Sequence, residues 1–320
     1  MNPWLVLLTT LLLLPLLYVV AVTLGVWLNM RFARLCDRLG PGQDPYQERV
    51  FAPAEPARAP ARLRGVLREG TWQSLAFALQ ARHFLRPFAF PAPVPGGGPV
   101  VVLVAGYVEN GGTMWWLGRA LLREGLQPVL VDLPSTLRSL DSNVAFVSDR
   151  VRSLGRELGG PIAYVGHSMG GVIGRALVRS RPDHGLSVVV TLASPHRGTH
   201  LARLGLGLSA RDMSHGSEFM ARHTPEERGA PGVAVHTLIT AHDNIVSPPW
   251  STVLGPGEGE DVLYEEPLGH TGILYQERVV QQVAAWVRAA ARVQAARAQP
   301  TQPPSFASSQ SAHASANQGA

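Results

Sequence analysis

The 320-residue sequence has no lysine and only one cysteine, Cys36. A single cysteine excludes an internal disulfide framework and a cysteine-based zinc cluster, and it leaves the redox compartment open. Charged residues are scarce, at 16% of the chain, whereas hydrophobic residues reach 46%, which excludes a largely disordered protein. The apolar content is sufficient for one large folded domain or two small ones.

The excess of basic charge is confined to one part of the chain. All 28 basic residues are arginines, and residues 31–90 hold ten of them against five acidic residues, whereas residues 91–320 hold eighteen of each. The excess follows an apolar N-terminus, where it is more typical of a membrane surface than of a nucleic-acid footprint. No zinc-finger spacing, P-loop or aromatic-basic RNA motif occurs, so we expect no nucleic-acid partner.

The N-terminal segment is long and apolar. Residues 3–28 carry no charged side chain, and at about 1.5 Å per residue they exceed the roughly 30 Å hydrocarbon core of a bilayer. We expect residues 1–30 to form a membrane anchor; a cleaved signal peptide is the alternative, but a preceding positive charge and an Ala-x-Ala site are missing. Because Arg31, Arg34 and Arg38 follow the segment, the positive-inside rule predicts a cytoplasmic domain, with export as the alternative.

Two further regions differ in composition from the rest. Residues 31–98 are predicted to form a basic linker next to the membrane, and within 71–86 apolar side chains recur at helical spacing. This pattern indicates an amphipathic helix that either packs on the core, which we favour, or lies on the bilayer. Residues 294–320 are rich in Ala, Ser, Gln and Pro and hold few large apolar groups, which predicts a disordered tail.

Residues 99–293 alternate short apolar runs with helical periodicity, the pattern of a parallel sheet with crossover helices. The predicted fold class is therefore α/β, with a mostly parallel sheet and helices on both faces. The predicted strands are Val100–Val104, Val129–Leu133, Ile162–Val165, Ser187–Leu192, Val233–Thr240 and Asp261–Tyr264. The predicted helices are Met114–Arg123, 144–158, 169–181 and a closing helix from Ile273.

A glycine-flanked serine lies between the third strand and the following helix, in the motif Gly166-His167-Ser168-Met169-Gly170. This context is that of a nucleophile elbow, a tight turn in which Gly166 and Gly170 avoid collisions of a Cβ with the neighbouring strand and helix. The turn exposes the Ser168 hydroxyl at the helix N-terminus, where the amide of Met169 points toward a developing oxyanion. A coincidental glycine-rich turn is the alternative interpretation.

A serine nucleophile needs a histidine base and an acid that orients it, in the chain order serine, acid, histidine. Asp243 follows the strand 233–240 and is the best acid, and His270 lies in a loop of small residues before the closing helix. The other candidate acids fall in the insertion, on the surface or beside the last strand; they are Asp183, Asp212, Glu265 and Glu266. The remaining histidines precede the acid or point away from it.

These residues resemble the α/β-hydrolase superfamily, and within it the bacterial triacylglycerol lipases and esterases. The resemblance covers about residues 99–293, and it implies a triad of Ser168, Asp243 and His270. In this family a second oxyanion donor follows the first strand, which implies the amide of Tyr107, although the usual His-Gly pair reads Ala105-Gly106 here. The motifs that carry the resemblance are Gly166–Gly171, Ala193–Thr199, Asp243–Val246 and Gly269-His270.

An insertion between residues 196 and 231 is the expected place for a small lid over the active site. The alternative is an ordinary connection between two strands that contains a small helix packed on the core. Trp115 and Trp116 are expected either to line an acyl pocket or to pack on the sheet. We expect no metal and no cofactor, and the insertion has no carboxylate pair with calcium-ligand spacing.

The sequence and the resemblance together predict a membrane-tethered serine hydrolase that cleaves carboxylic esters, with an acyl-ester or lipid substrate and the bilayer as partners. The same triad also suits an acyltransferase or a thioesterase. From a different class, an inactive membrane-anchored interaction protein is possible on the same fold. Acyl-chain length, head group and oligomeric state are left open by the sequence.

Overall fold

Six short segments form one sheet in the computed structural model, which describes residues 17–32, 35, 48, 50, 59–223, 233–254, 257–264 and 268–298. Every neighbouring pair of strands is parallel, and the strand order is β2-β1-β3-β4-β5-β6. This topology confirms the predicted α/β class with a parallel sheet. The strands are β1 (Val100–Val104), β2 (Gln127–Val131), β3 (Ile162–His167), β4 (Leu186–Leu192), β5 (Ala234–Thr240) and β6 (Asp261–Tyr264).

Helices cover both faces of the sheet because alternate side chains of each strand point to opposite sides. Val102 and Val104 pack with the apolar stripes of α3 and α4, whereas Val101 and Leu103 pack with those of α1, α2 and α7. The helices are α1 (Ala59–Leu85), α2 (Gly111–Arg123), α3 (Leu140–Leu158), α4 (Met169–Ser180), α5 (Gly207–Asp212), α6 (Glu218–His223) and α7 (Glu277–Ala298).

Several predicted element boundaries differ from the structure by two to four residues, and two of the differences have a clear structural cause. Strand β2 begins at Gln127 rather than Val129, because the amide of Gln127 donates to the carbonyl of Pro99 and extends the pairing with β1. The closing helix begins at Glu277 rather than Ile273. A 3-10 helix, Gly272–Tyr275, precedes it, and the extended backbone of Gln276 separates the two.

Helix α1 starts at Ala59 and is longer than the predicted 71–86 segment. It packs on the folded domain rather than lying free of it, since Ala76 is fully buried within one core cluster. The indole of Trp72 stacks on the ring of Tyr275, with centroids 4.8 Å apart and planes within 5°. His83, near the end of the helix, bonds to the carboxylate of Asp132 at 2.9 Å. These contacts tie α1 to the sheet and to the 3-10 helix after His270.

Residues 17–32 are helical and pack against α1. A Cβ added at Gly70 of α1 would lie 2.1 Å from the Thr23 hydroxyl, so the two helices approach closely at this point. Within the described residues, no helix combines the length and the apolar character that a bilayer crossing requires. The first sixteen residues of the predicted anchor and residues 299–320 of the predicted tail lie outside the described residues. Residues 294–298 of that predicted tail are not disordered: they form the end of α7, because their Ala, Gln and Arg side chains favour a helix.

Candidate active site

Ser168 occupies the sharp turn between β3 and α4. Its backbone lies at φ 52° and ψ −121°, a strained region for a residue with a side chain. The turn requires glycine at both flanks: a Cβ at Gly166 would lie 2.4 Å from the backbone of Gly170, and one at Gly170 would lie 2.3 Å from the carbonyl oxygen of Val104. The residues of the predicted nucleophile elbow therefore lie in a turn of the required shape.

The imidazole of His270 is hydrogen-bonded to Asp243. Its Nδ1–H donates to the carboxylate, with distances of 2.9 Å to Oδ2 and 3.1 Å to Oδ1. Asp243 is itself fixed after β5, because its Oδ1 accepts the amides of Ile245 and Val246 at 2.8 and 2.7 Å. With Nδ1 engaged in this way, the Nε2 atom of His270 is left as the position that accepts a proton.

The electrostatic surroundings of His270 favour the protonated ring. Burial by itself lowers the pKa of His270, but the negative charge and hydrogen bond of Asp243, together with the charges of Glu109 and Glu69, outweigh burial and raise it. An imidazolium that forms during proton transfer is therefore stabilised by three carboxylates. This is the electrostatic requirement of a general base next to a serine.

Ser168 and His270 line the same pocket, with Asp243 behind the histidine. Among the described residues, Ser168 Oγ and the His270 ring share no hydrogen bond. The arrangement thus keeps the two side chains on one side of the sheet and accessible to a common ligand.

Of the two predicted oxyanion donors, Tyr107 lines this pocket, and Met169 directly follows Ser168, which also lines it. Within the described part of the chain, the backbone amides of Tyr107 and Met169 donate to no protein group. The amide of Gly106 is occupied instead, because it donates to Glu109 Oε2 at 2.7 Å. Met169 is the first residue of α4, so its amide adds to the positive end of the helix dipole.

The pocket is largely apolar and has a volume of about 490 Å³. The insertion after β4 supplies one side of it and helix α1 another. The hydroxyl of Tyr107 fixes the insertion: its Oη accepts the amide of Leu206 at 2.7 Å and donates to the carbonyl of the same residue. The apolar side chains that line the pocket include Phe77, Val108, Leu201, Leu204, Met213 and Val246.

The tryptophans of α2 do not line this pocket. Trp115 stacks on Phe88 with centroids 4.7 Å apart, and Trp116 packs against Tyr275 at 5.7 Å. Of the two expected positions, packing within the fold is therefore the one observed. Trp115 and Trp116 are both half-buried, which fits side chains that cover the edge of the core.

The alternative acids have other partners where they are described. Asp212 accepts the amide of Leu140 at the start of α3, at 2.8 Å. Asp183 is paired with Arg152 on the surface. Residues 265 and 266 lie outside the described residues. Within the ranges that the structure describes, no group of three or more His, Cys, Asp or Glu side chains is arranged to hold a metal ion.

Sequence reasoning missed several polar residues around the histidine. His167 is fully buried; its Nε2–H donates to the carbonyl of His270 at 3.1 Å, and its Nδ1 lies 3.0 Å from Glu109 Oε2. Asn244 Oδ1 accepts the amide of His270 at 3.0 Å. Glu69 holds the two residues after His270. The only available signal was adjacency for His167 and Asn244, which neighbour predicted site residues; nothing local marked Glu69 or Glu109.

No protein-family model matches the sequence, and no curated protein matches it. Solved structures are similar in fold. The mature lipase BlEst2 of Bacillus licheniformis superposes with a TM-score of 0.53 at 16% identity, covering 62% of this chain and 96% of that one. Lipase B of Aspergillus fumigatus superposes with a TM-score of 0.53 at 19% identity, covering 75% of this chain and 61% of that one. Together with the parallel sheet and the elbow turn, these similarities establish that the chain has the α/β-hydrolase fold found in lipases.

Proposed function

We propose that this chain is a membrane-tethered serine hydrolase that cleaves carboxylic esters, with lipid acyl esters as its substrate class. One observation carries the proposal. His270 is hydrogen-bonded to Asp243 and borders the same pocket as Ser168, whose strained turn lifts the hydroxyl out of the sheet. A nucleophile, a base and an orienting acid in this chain order are what acyl transfer requires.

In the proposed mechanism the Ser168 hydroxyl gives its proton to His270 Nε2 while its oxygen bonds to the ester carbonyl carbon. The amides of Tyr107 and Met169 hold the resulting oxyanion, each contributing roughly 3 kcal/mol to the transition state. The carbon–oxygen bond to the alcohol then breaks, and His270 returns the proton to the departing oxygen. Water next attacks the carbonyl carbon of the acyl-enzyme and passes a proton to His270. The tetrahedral intermediate then breaks its bond to Ser168 Oγ, which takes the proton back from His270, and the carboxylic acid leaves.

Two features support a lipid substrate. The pocket wall is mostly apolar, which suits an acyl chain better than a polar group. Asn29 also lines the pocket, and it directly follows the uncharged stretch 3–28 that is proposed as the anchor. An anchor that ends beside the pocket entrance would hold that entrance at the depth of the lipid ester groups, where the bilayer meets water.

The test is hydrolysis of carboxylic esters of graded chain length by the full chain, both in solution and in lipid vesicles. We expect activity that rises with acyl length and with incorporation in vesicles, and a loss of at least about 10³-fold in Ser168→Ala. Ser153→Ala, a serine on α3 outside the pocket, is the matched control and keeps wild-type rates. Ester hydrolysis that survives in Ser168→Ala would contradict the proposal.

A further inference from the structure

Helix α1 lies outside residues 99–293, yet it contacts the loop that carries His270. The carboxylate of Glu69, which is only 1% exposed, accepts the amide of Thr271 at 2.7 Å and the amide of Gly272 at 2.9 Å. One turn further along α1, Gln73 accepts the hydroxyl of Thr271 at 2.7 Å. Three hydrogen bonds thus join α1 to the two residues that follow the histidine.

The loop is shaped to admit this carboxylate. A Cβ at Gly269 would lie 2.2 Å from Glu69 Cδ, and a Cβ at Gly272 would lie 2.7 Å from Glu69 Oε2. Any larger residue at either position would displace the carboxylate or the loop. The two glycines on either side of His270 and Thr271 therefore match a buried side chain that comes from about 200 residues earlier in the chain.

The backbone of His270 is fixed on its other sides as well. Its amide donates to Asn244 Oδ1 at 3.0 Å, and its carbonyl accepts His167 Nε2–H at 3.1 Å. Asn244 and His167 belong to the hydrolase-like part of the chain, whereas Glu69 does not. Without Glu69, two buried amides immediately after His270 would lose their acceptor, which is costly and would let the loop move.

We propose that Glu69 is a positioning residue for His270: it fixes Thr271 and Gly272 so that the imidazole faces Ser168, and its charge stabilises the imidazolium. This inference rests on the proposed function, since it assigns a role in the same reaction. Glu69 touches neither substrate nor Ser168 and acts only through the histidine and its loop.

The charge of Glu69 is one of several around the histidine. The other titratable groups facing His270 are Asp243, Glu109 and His167. Burial raises the pKa of Glu69, and the hydrogen bonds from the amides of Thr271 and Gly272 offset part of that rise. Because each carboxylate oxygen accepts an amide hydrogen, the contacts suit the ionised form.

Helix α1 also contacts the N-terminal helix at the adjoining residue, Gly70, which packs against Thr23. The N-terminal helix and the loop that carries His270 therefore contact the same turn of α1. A positioning role for Glu69 would make the α1 region part of the catalytic unit rather than a passive linker.

The experiment compares Glu69→Gln with Arg68→Gln, an exposed neighbour on the same helix, in the full chain acting on a soluble ester. Glutamine keeps the shape of the side chain but loses its charge. Its NH2 group would replace one of the two acceptor oxygens, so it would face a backbone N–H, donor against donor, and one hydrogen bond would be lost. We expect kcat per active site to fall by up to about 100-fold with KM nearly unchanged. The acidic limb of the kcat/KM profile should move to lower pH, because a charge that favours imidazolium is gone. Arg68→Gln should match wild type in both.

Active sites are counted by end-point labelling with a fluorophosphonate, so that poorly folded protein does not enter the rates. A Glu69→Gln chain with wild-type kcat and an unmoved acidic limb overturns the inference while leaving the proposed function intact. If Glu69→Gln does not fold, Glu69→Asp replaces it; it should lower kcat without moving the limb, and wild-type kcat in that variant also overturns the inference. A wild-type chain without turnover would remove the proposed function, and the role of Glu69 with it.

Discussion

The ring of His270 lies among three carboxylates that differ in how they act on it. Asp243 forms the direct hydrogen bond at 2.9 Å, whereas Glu109 and Glu69 act on the ring through their charge, and Glu69 also binds the amides of the next two residues. Glu109 is held in place by His167 and Gly106, whose interactions outweigh its burial and lower the pKa of its carboxyl. A buried base that three negative charges surround holds its proton more tightly than a free histidine does.

This environment predicts the pH dependence of the proposed reaction. His270 must be neutral to accept a proton, and its pKa is raised above its usual 6.5, so kcat/KM should fall as pH drops through a value above 6.5. In Asp243→Asn the limb should move to lower pH. The asparagine oxygen would stay on the amides of Ile245 and Val246, its NH2 group would face Nδ1, and the ring proton would move to Nε2, so kcat should fall roughly 10⁴-fold. A pH–rate series on a soluble ester checks both effects. An acidic limb that stays in place in Asp243→Asn would exclude His270 as the titrating base.

At the residue scale, the sequence predicted those site residues that a local sequence pattern or their place after a strand identifies. Ser168 was recognisable because its glycines and its position after a buried strand form a local pattern. Asp243 and His270 followed from chain order and from their places after strands. Glu69 and Glu109 were not recognisable, because their partners lie 202 residues away at Thr271 and 58 residues away at His167.

Among the elements, helix α4 directly follows Ser168, and a buried cluster of charged side chains holds this helix further along its length. Arg175 donates to Glu258 at 2.9 Å through Nε, and Arg179 donates to the same carboxylate at 3.1 Å. The side chain of Glu258 is 1% exposed and that of Arg175 is 4% exposed. Glu258 precedes β6, so the cluster joins the elbow helix to the edge of the sheet.

Removing the carboxylate should destabilise the fold strongly. Glu258→Gln removes the carboxylate charge that faces the buried guanidinium of Arg175, and we expect the free energy of unfolding to fall by about 3–5 kcal/mol. Glu157→Gln, on the exposed face of α3, is the matched control and should change it by no more than about 0.5 kcal/mol. Urea denaturation measures both. A loss below about 1 kcal/mol in Glu258→Gln would mean that the cluster contributes little to stability.

Element type was more predictable than element boundaries. The periodicity of 144–158 and the apolar run of β3 fixed their identity, because each pattern is local. The start of β2 depends on the Pro99 carbonyl, and the delayed start of α7 depends on the 3-10 turn that follows His270. Both features arise from tertiary contacts, so the side-chain pattern alone could not indicate them.

At the scale of the whole molecule, the N-terminal helix 17–32, the long helix α1 and the pocket that Ser168 and His270 line contact one another in turn. The N-terminal helix packs on α1, α1 packs on the loop of His270, and Asn29 and Phe77 border the pocket. The sequence predicted an α/β domain preceded by an amphipathic helix. How closely that helix approaches the site could not be predicted, since it depends on contacts between distant parts of the chain.

The central claim is that Ser168 is a nucleophile activated by His270, and covalent labelling tests it most directly. The full chain is treated with a fluorophosphonate, and its intact mass and peptide map are measured across pH, beside His270→Ala. The account predicts one adduct per chain, on Ser168, formed faster as His270 loses its proton and nearly abolished in His270→Ala. An adduct on another residue, or labelling of Ser168 that is indifferent to His270, would contradict it.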